Sequence, residues 1–267
     1  MSAIPQPAGN EAMVLRQDDG GIVTLTLNRP AQFNSLSKGL LAALQSALDE
    51  VAADPAARVV VIAGAGKAFC AGHDLKEMRA QRDKAFIRGL FDACSRMMLT
   101  ITRMPQPVIA RVHGIATAAG CQLVSMCDLA VAADSARFAT SGINVGLFCA
   151  TPGVGLSRNL SRKRAMEMLL TGDFIDAAKA LDYGLVNRVV PVAELDAEIR
   201  RLADSIVAKT PVAVSAGKKM FYRQLELGFE GAYDLAAETM ACNMMADDAA
   251  EGIDAFIGKR PPVWKGR

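Results

Sequence analysis

Two short stretches hold the residues best placed to do chemistry, and in both the useful atoms belong to the backbone. In IARVHGIATAAGCQ, residues 109–122, an apolar run breaks into small residues just ahead of a helix-forming sequence. The first turn of a helix has N–H groups with no intrahelical partner and carries the positive end of the helix dipole. Side chains as small as Ala118, Ala119 and Gly120 let a ligand atom approach those groups. The apolar run RVVVIAG, residues 58–64, leads in the same way into AGKAFCAGHDLKEM, residues 65–78, with a second helix opening at Asp74. If the two turns converge, they form a seat for developing negative oxygen.

The elements that must position these turns are legible around them. The runs 13–17 and 22–28 flank DDGG, and the second alternates Val23, Leu25 and Leu27 against Thr24, Thr26 and Asn28, which predicts a hairpin with one face buried. Ser37 is placed to cap a helix whose apolar positions Leu40, Leu41, Leu44, Leu48 and Val51 recur at helical spacing. A helix over 86–104 carries Phe86, Leu90, Phe91, Cys94, Met97, Met98 and Ile101 on one side and ends at Pro105-Gln106-Pro107. Strands at 58–64, 108–112 and 129–132 alternate with helices, which predicts an α/β core with parallel pairing and right-handed crossovers. From Pro191 the pattern is helical to near the end.

Composition narrows the partners. Lys plus Arg number 30 against 28 Asp plus Glu, a net charge of +2, which gives no field suited to nucleic acid or an anionic membrane. No window offers the ~18 uncharged apolar residues of a spanning helix. The first residues lack both a signal core and an Arg-rich amphipathic pattern, so cytoplasm is the expected compartment. Six cysteines without a CxxC pair, and only two histidines, suggest buried thiols and neither a metal site nor a disulfide framework.

Taken together, GKAFCAGHDLKEM and HGIATAAGCQLVSMCDLAVA resemble the two oxyanion-hole segments of the crotonase superfamily, the enoyl-CoA hydratases and isomerases. Later landmarks follow in the family's order: GINVGLFCATPGVGLSRNLSRKRAMEMLLTG, AAKALDYGLVNRVVP and EGIDAFIGKRPPVW. The wording NVGLFCATPGV and KKMFYRQL is similar to one branch, the enoyl-CoA hydratase domain-containing proteins. The resemblance implies a flexible N-terminus (1–12), a ββα superhelix core (13–195) and a C-terminal helical region (196–267) that assembles trimers, often paired into hexamers. It implies an acyl-CoA or enoyl-CoA thioester as partner, with coenzyme A entering as part of the substrate and no separate cofactor. By match, the two oxyanion donors are the backbone N–H groups of His73 and Ala119. The turn made by Ala68, Ala71, Gly72, Asp74, Leu75 and Lys76 would cradle coenzyme A together with Gly120, and Phe256 and Lys259 would meet the nucleotide, across a subunit boundary in some members.

The resemblance also exposes a gap. Family hydratases use two glutamates to move the protons of water addition, and the matching positions here are Gln122 and Gly142. An amide orients water but does not take its proton, and glycine offers only space. General acid or base help is typically worth ~10² to 10⁴ per group, so ordinary hydratase activity is not expected. His73, Glu77 and Cys149 are the candidate substitutes, Asp74 is expected to cap its turn, and His113 is expected to be structural. The alternatives are decarboxylation or other enolate chemistry, and thioester binding without chemistry. A scaffold or RNA-binding role finds no basic, aromatic-interleaved strip to support it.

Overall fold

The computed structural model describes residues 12–267, so residues 1–11 of the expected flexible N-terminus lie outside it. In chain order the elements are β1 (Val14–Asp19), β2 (Ile22–Leu27), α1 (Lys38–Ala52), β3 (Val59–Gly64), β4 (Ala68–Cys70), α2 (Leu75–Ala80), α3 (Lys84–Arg103), β5 (Val108–Val112), β6 (Ile115–Thr117), α4 (Ala119–Met126), β7 (Leu129–Ala133) and β8 (Arg137–Ala139). There follow α5 (Ala150–Asn159), α6 (Arg162–Thr171), β9 (Ile175–Asp176), α7 (Ala177–Tyr183), β10 (Arg188–Val190), α8 (Leu195–Val207), α9 (Pro211–Gln224), α10 (Phe229–Met244) and α11 (Asp247–Ile257).

The strands form two sheets. One has six strands in the order β1-β2-β3-β5-β7-β10, parallel except for the expected β1–β2 hairpin. The other has four short strands in the order β4-β6-β8-β9, parallel except for β8–β9. The second sheet is absent from the sequence reading because strands of two or three residues are too short to show a period of two. It is nevertheless the sheet that positions the site, because each of its first two strands ends at one of the small-residue turns.

Helix boundaries follow local chemistry. The Ser37 side chain accepts from Leu40 N–H at the start of α1, Asp83 does the same for Phe86 in α3, and Asp176 for Lys179 in α7. The predicted face of α1 is the buried one, and that of α3 is buried except for half-buried Phe86 and Phe91: Leu40, Leu41, Leu44, Leu48 and Val51 meet Met97, Met98 and Ile101 over Val60 and Ile62 of β3. Fully burying side chains of this size stabilises by about 1.5–3 kcal/mol each. The opposite face of the large sheet, with Val59, Val61, Ile109 and Val131, is covered by Leu195, Ile199 and Ala203 of α8. That packing makes α8 part of the core, and the less buried helices begin at α9.

The C-terminal block is held by polar anchors. Lys218 of α9 donates to the carbonyls of Ile101 (2.7 Å) and Gln106 (2.8 Å) and pairs with Asp128 at 2.6 Å. Tyr222 donates to the other oxygen of Asp128 at 2.8 Å. Buried Asp248 of α11 accepts from the Thr210 hydroxyl and from the N–H groups of Lys265 and Gly266, which straps the last residues across the bases of α9 and α11. No residue of α9 or α10 is fully buried. Five cysteines are buried as expected and Cys242 is not, since it lies on α10.

Candidate active site

The first turn is fixed by a loop from elsewhere in the chain. Between β4 and α2, Ala71 N–H donates to Phe33 O (3.0 Å), Leu36 N–H to Gly72 O (2.7 Å) and Asp74 N–H to Leu36 O (3.3 Å). In such a ladder the intervening N–H, that of His73, faces the other way, and it has no acceptor among the described residues. Gly72 holds φ +87°, a conformation suited to glycine. Asp74 caps α2 by accepting from Lys76 and Glu77 N–H and pairs with Arg29 at 3.2 Å. Burial opposes its charge, but the Glu77 N–H, Arg29 and the Lys76 N–H together hold its carboxyl below the ordinary range.

Asn34 is a residue that the sequence reading missed. Fully buried, it donates to the carbonyls of Ala65 (2.8 Å), Ala68 (2.8 Å) and Phe69 (3.2 Å) and accepts from Arg29 N–H at 2.9 Å. It ties the 29–36 loop to both ends of the β3–β4 connection. The only signal available was a polar residue in a turn before a helix cap, which is too common to single out.

The second turn carries strain. Ala118, between β6 and α4, has φ 50° and ψ −119°, a region costing of order 1–3 kcal/mol for a residue with a side chain. Two bonds hold it there: its N–H donates to Ala139 O and its carbonyl accepts from Gln122 N–H, both at 3.0 Å. The next N–H, that of Ala119, opens α4 and has no acceptor among the described residues. Because β4 and β6 are parallel neighbours, the two turns lie side by side. A Cβ on Gly72 would sit 2.8 Å from the Ala118 methyl and 3.1 Å from Ala119 N, while one on Gly120 would strike the Cys70 carbonyl. Thus Ala68, Ala71, Gly72, His73, Asp74, Ala119 and Gly120 lie together on the two turns, with exposed Leu75 and Lys76 opening α2.

The side chains around this pair lack a carboxylate at the expected positions. Gln122 is 4% exposed and its Oε1 has no hydrogen-bond partner among the described residues. At Gly142, an added Cβ would lie 2.7 Å from both Cys149 Sγ and Leu147 O, so the cysteine thiol fills the space that a side chain at 142 would need. Burial pushes that thiol's pKa up, against which the Gly142 N–H works. The Glu77 carboxylate is engaged at the start of α1, accepting from Lys38 N–H at 2.9 Å. His113 contacts Gly66 O through Nε2 at 2.9 Å and braces the β3–β4 turn. Thr117 and Ser141, which the sequence reading passed over, join hydroxyls at 2.7 Å beside Ala118 and Gly142. Phe256, 85% exposed, and Lys259 lie at the end of α11, in the C-terminal block and outside this cluster.

Among the described residues no group of His, Cys, Asp or Glu is arranged to hold a metal ion, and no helix is long and apolar enough to cross a membrane.

Comparison with known proteins places this geometry. The enoyl-CoA hydratase/isomerase family model matches residues 17–267. The mitochondrial enoyl-CoA hydratase domain-containing protein 3 of Xenopus laevis is 46% identical over 252 residues, which cover 94% of this chain and 86% of that protein. A crystal structure of an enoyl-CoA hydratase of Mycobacterium smegmatis superposes with a TM-score of 0.94 at 59% identity, covering 95% of this chain and 99% of that one. That of human enoyl coenzyme A hydratase domain-containing protein 3 gives 0.92 at 45% identity, covering 94% and 100%. The cytoplasmic expectation is overturned, since the Xenopus laevis relative and those of mouse and human are all named mitochondrial. From the matched length, the identities and the shared fold, this chain belongs to the enoyl-CoA hydratase/isomerase family of the crotonase superfamily.

Proposed function

We propose that the chain binds an acyl-CoA or enoyl-CoA thioester with the carbonyl oxygen between the N–H groups of His73 and Ala119, and that it stabilises the enolate formed when the α-carbon gains electrons. One observation carries this reading: two neighbouring turns each present a backbone N–H without an acceptor among the described residues, with Gly72 holding Ala119 N close. Donors fixed in advance where charge develops are worth roughly 2.7–4 kcal/mol of barrier each. Ala68, Ala71, Gly72, Leu75 and Lys76 then contact coenzyme A, and Phe256 and Lys259 reach the nucleotide of a neighbouring subunit's ligand in a trimer or a pair of trimers. The setting is fatty-acid or acyl-CoA metabolism, in line with the family and with relatives such as the 2,3-dehydroadipyl-CoA hydratase of Escherichia coli.

Water addition is not the reaction that these side chains favour. Gln122 does not accept water's proton, and Cys149 occupies the volume of a second carboxylate. Loss of carbon dioxide from a carboxylated thioester yields the same enolate without a protein base, which makes decarboxylation the second reading. A protein that binds thioesters without turnover is the third.

A crystal of the protein with butyryl-CoA tests the seat. The expected result is a thioester oxygen within hydrogen-bond reach of both N–H groups. Binding elsewhere, or no binding at millimolar concentration, overturns the reading.

A further inference from the structure

A cavity of about 560 Å³ lies at the end of the large sheet opposite to the two turns. β3 and β5 are parallel neighbours whose C-terminal ends lead to those turns through β4 and β6, and the cavity sits where both strands begin, against residues 52–58, Pro105-Gln106 and the α8–α9 connection. Its size is that of a small-molecule site. Ile206, Val212 and Val214, with the rings of Pro55, Pro105 and Pro211, supply apolar walls, and Ser215 adds a hydroxyl. Two sides are fixed in place: buried Gln106 donates through Nε2 to Val51 O at 2.9 Å, and the strap at Lys265 and Gly266 is tied to Asp248. Of the charged groups that line the cavity, Lys265 is exposed and Asp54 is already paired with Arg16 at 2.8 Å. Arg58 is half-buried and unpaired. Its stem is close enough to the chain that a Cβ on Gly21 would lie 3.0 Å from its Cγ, and one guanidinium N–H donates to Lys209 O. The remaining N–H groups have no acceptor, and the charge no ion pair, among the described residues. Burial pushes this guanidinium below its ordinary pKa, and Asp248, which works against that, is itself occupied by Thr210 and two backbone N–H groups.

We propose that this cavity is a second ligand site, which takes a small monocarboxylate with an apolar body and seats the carboxylate on Arg58. A cation drawn partly out of water without a counter-charge is costly, and a carboxylate brought from outside offsets that cost. The planar guanidinium matches the two oxygens of a carboxylate, and its stem and its bond to Lys209 O hold it in position before the ligand arrives. Three ligand classes meet these walls differently. A monocarboxylate satisfies the single half-buried cation and covers the proline and valine surfaces with its tail. An uncharged alcohol of the same length covers the walls and leaves Arg58 unmatched. Inorganic phosphate brings a second negative charge toward a lining that includes Asp54, and it has no body to fill the apolar space. The site shares no residue with the thioester seat proposed above and does not rest on it.

Isothermal titration of the full chain with octanoate, 1-octanol and inorganic phosphate tests the assignment. Octanoate is expected to bind saturably, one per chain, and about ten- to a hundredfold more tightly than 1-octanol, the range that a hydrogen bond to a charged group supplies. Inorganic phosphate is expected to be the weakest of the three. Arg58→Gln is expected to lower octanoate affinity to that of the alcohol and to leave 1-octanol unchanged. The octanoate titration is expected to be the same with butyryl-CoA present at millimolar concentration. A crystal of the wild-type protein with octanoate gives a readout independent of how the variant folds, with the carboxylate expected within hydrogen-bond reach of the Arg58 guanidinium. No saturable octanoate binding at millimolar concentration, equal affinities for octanoate and 1-octanol, tightest binding of phosphate, a preference that survives Arg58→Gln, displacement of octanoate by butyryl-CoA, or a carboxylate placed elsewhere in the crystal would each overturn the site, whatever becomes of the thioester seat.

Discussion

Gln122 and Gly142 are the positions at which the sequence resemblance expects the proton-moving glutamates of family hydratases, and the structure treats them unequally. Gln122 is buried with an idle amide oxygen, and glutamate is nearly its isostere, so Gln122→Glu restores a proton-accepting group without moving a neighbour. Gly142 is different: its obstacle is not a positive φ but the pair Cys149 Sγ and Leu147 O, each 2.7 Å from where a Cβ would stand. We expect Gln122→Glu to raise the hydration rate of crotonyl-CoA at least tenfold, part of the ~10²–10⁴ that a placed acid or base supplies. Gly142→Glu is expected to lower the melting temperature and add no rate. A wild-type rate already equal to that of an ordinary hydratase would show that another group moves the protons.

At the scale of elements, α9 is joined to the core through Lys218, whose amine meets two carbonyls and Asp128 beneath the C-terminal end of α4. Removing one partner of a buried pair leaves the other charge unmatched, typically at 3–5 kcal/mol, whereas deleting one neutral donor costs about 1 kcal/mol. Lys218→Met is therefore expected to destabilise the fold by the larger amount and Tyr222→Phe by the smaller, measured by denaturant unfolding. Near-equal effects would show that Asp128 finds another counter-charge. Nothing in the sequence marked Lys218 as buried, because a lysine next to a second lysine, Lys219, on a helix reads as solvated. The long elements were legible because their burial is periodic: α1 shows it at Leu40, Leu44 and Leu48, and β2 at Val23, Leu25 and Leu27. The strands β4, β6, β8 and β9 have two or three residues each and leave no such trace. The two turns were legible for the opposite reason, since a run of Gly and Ala at a strand end has no packing use of its own. What those turns converge on depends on Asn34 and the 33–36 loop, whose contacts are with residues more than thirty positions away.

At the scale of the whole molecule, the C-terminal block exposes Phe229 at 88%, Phe256 at 85% and Met245 at 81%, together with Tyr233 and Met240. Apolar area on that scale marks an interaction surface. We expect light scattering at micromolar concentration to give the mass of a trimer or of two trimers, and a stable monomer would rule out that assembly. The strained turn at Ala118 bears on a different property, the kinetics of ligand capture. Its dihedral angles are set by bonds to Ala139 and from Gln122 inside the folded chain. The free energy of bending the backbone is therefore spent once, during folding, and not again at each encounter. If the proposed seat holds, a thioester is expected to dock onto a turn already in its final conformation, with no slow rearrangement of that turn in the association step.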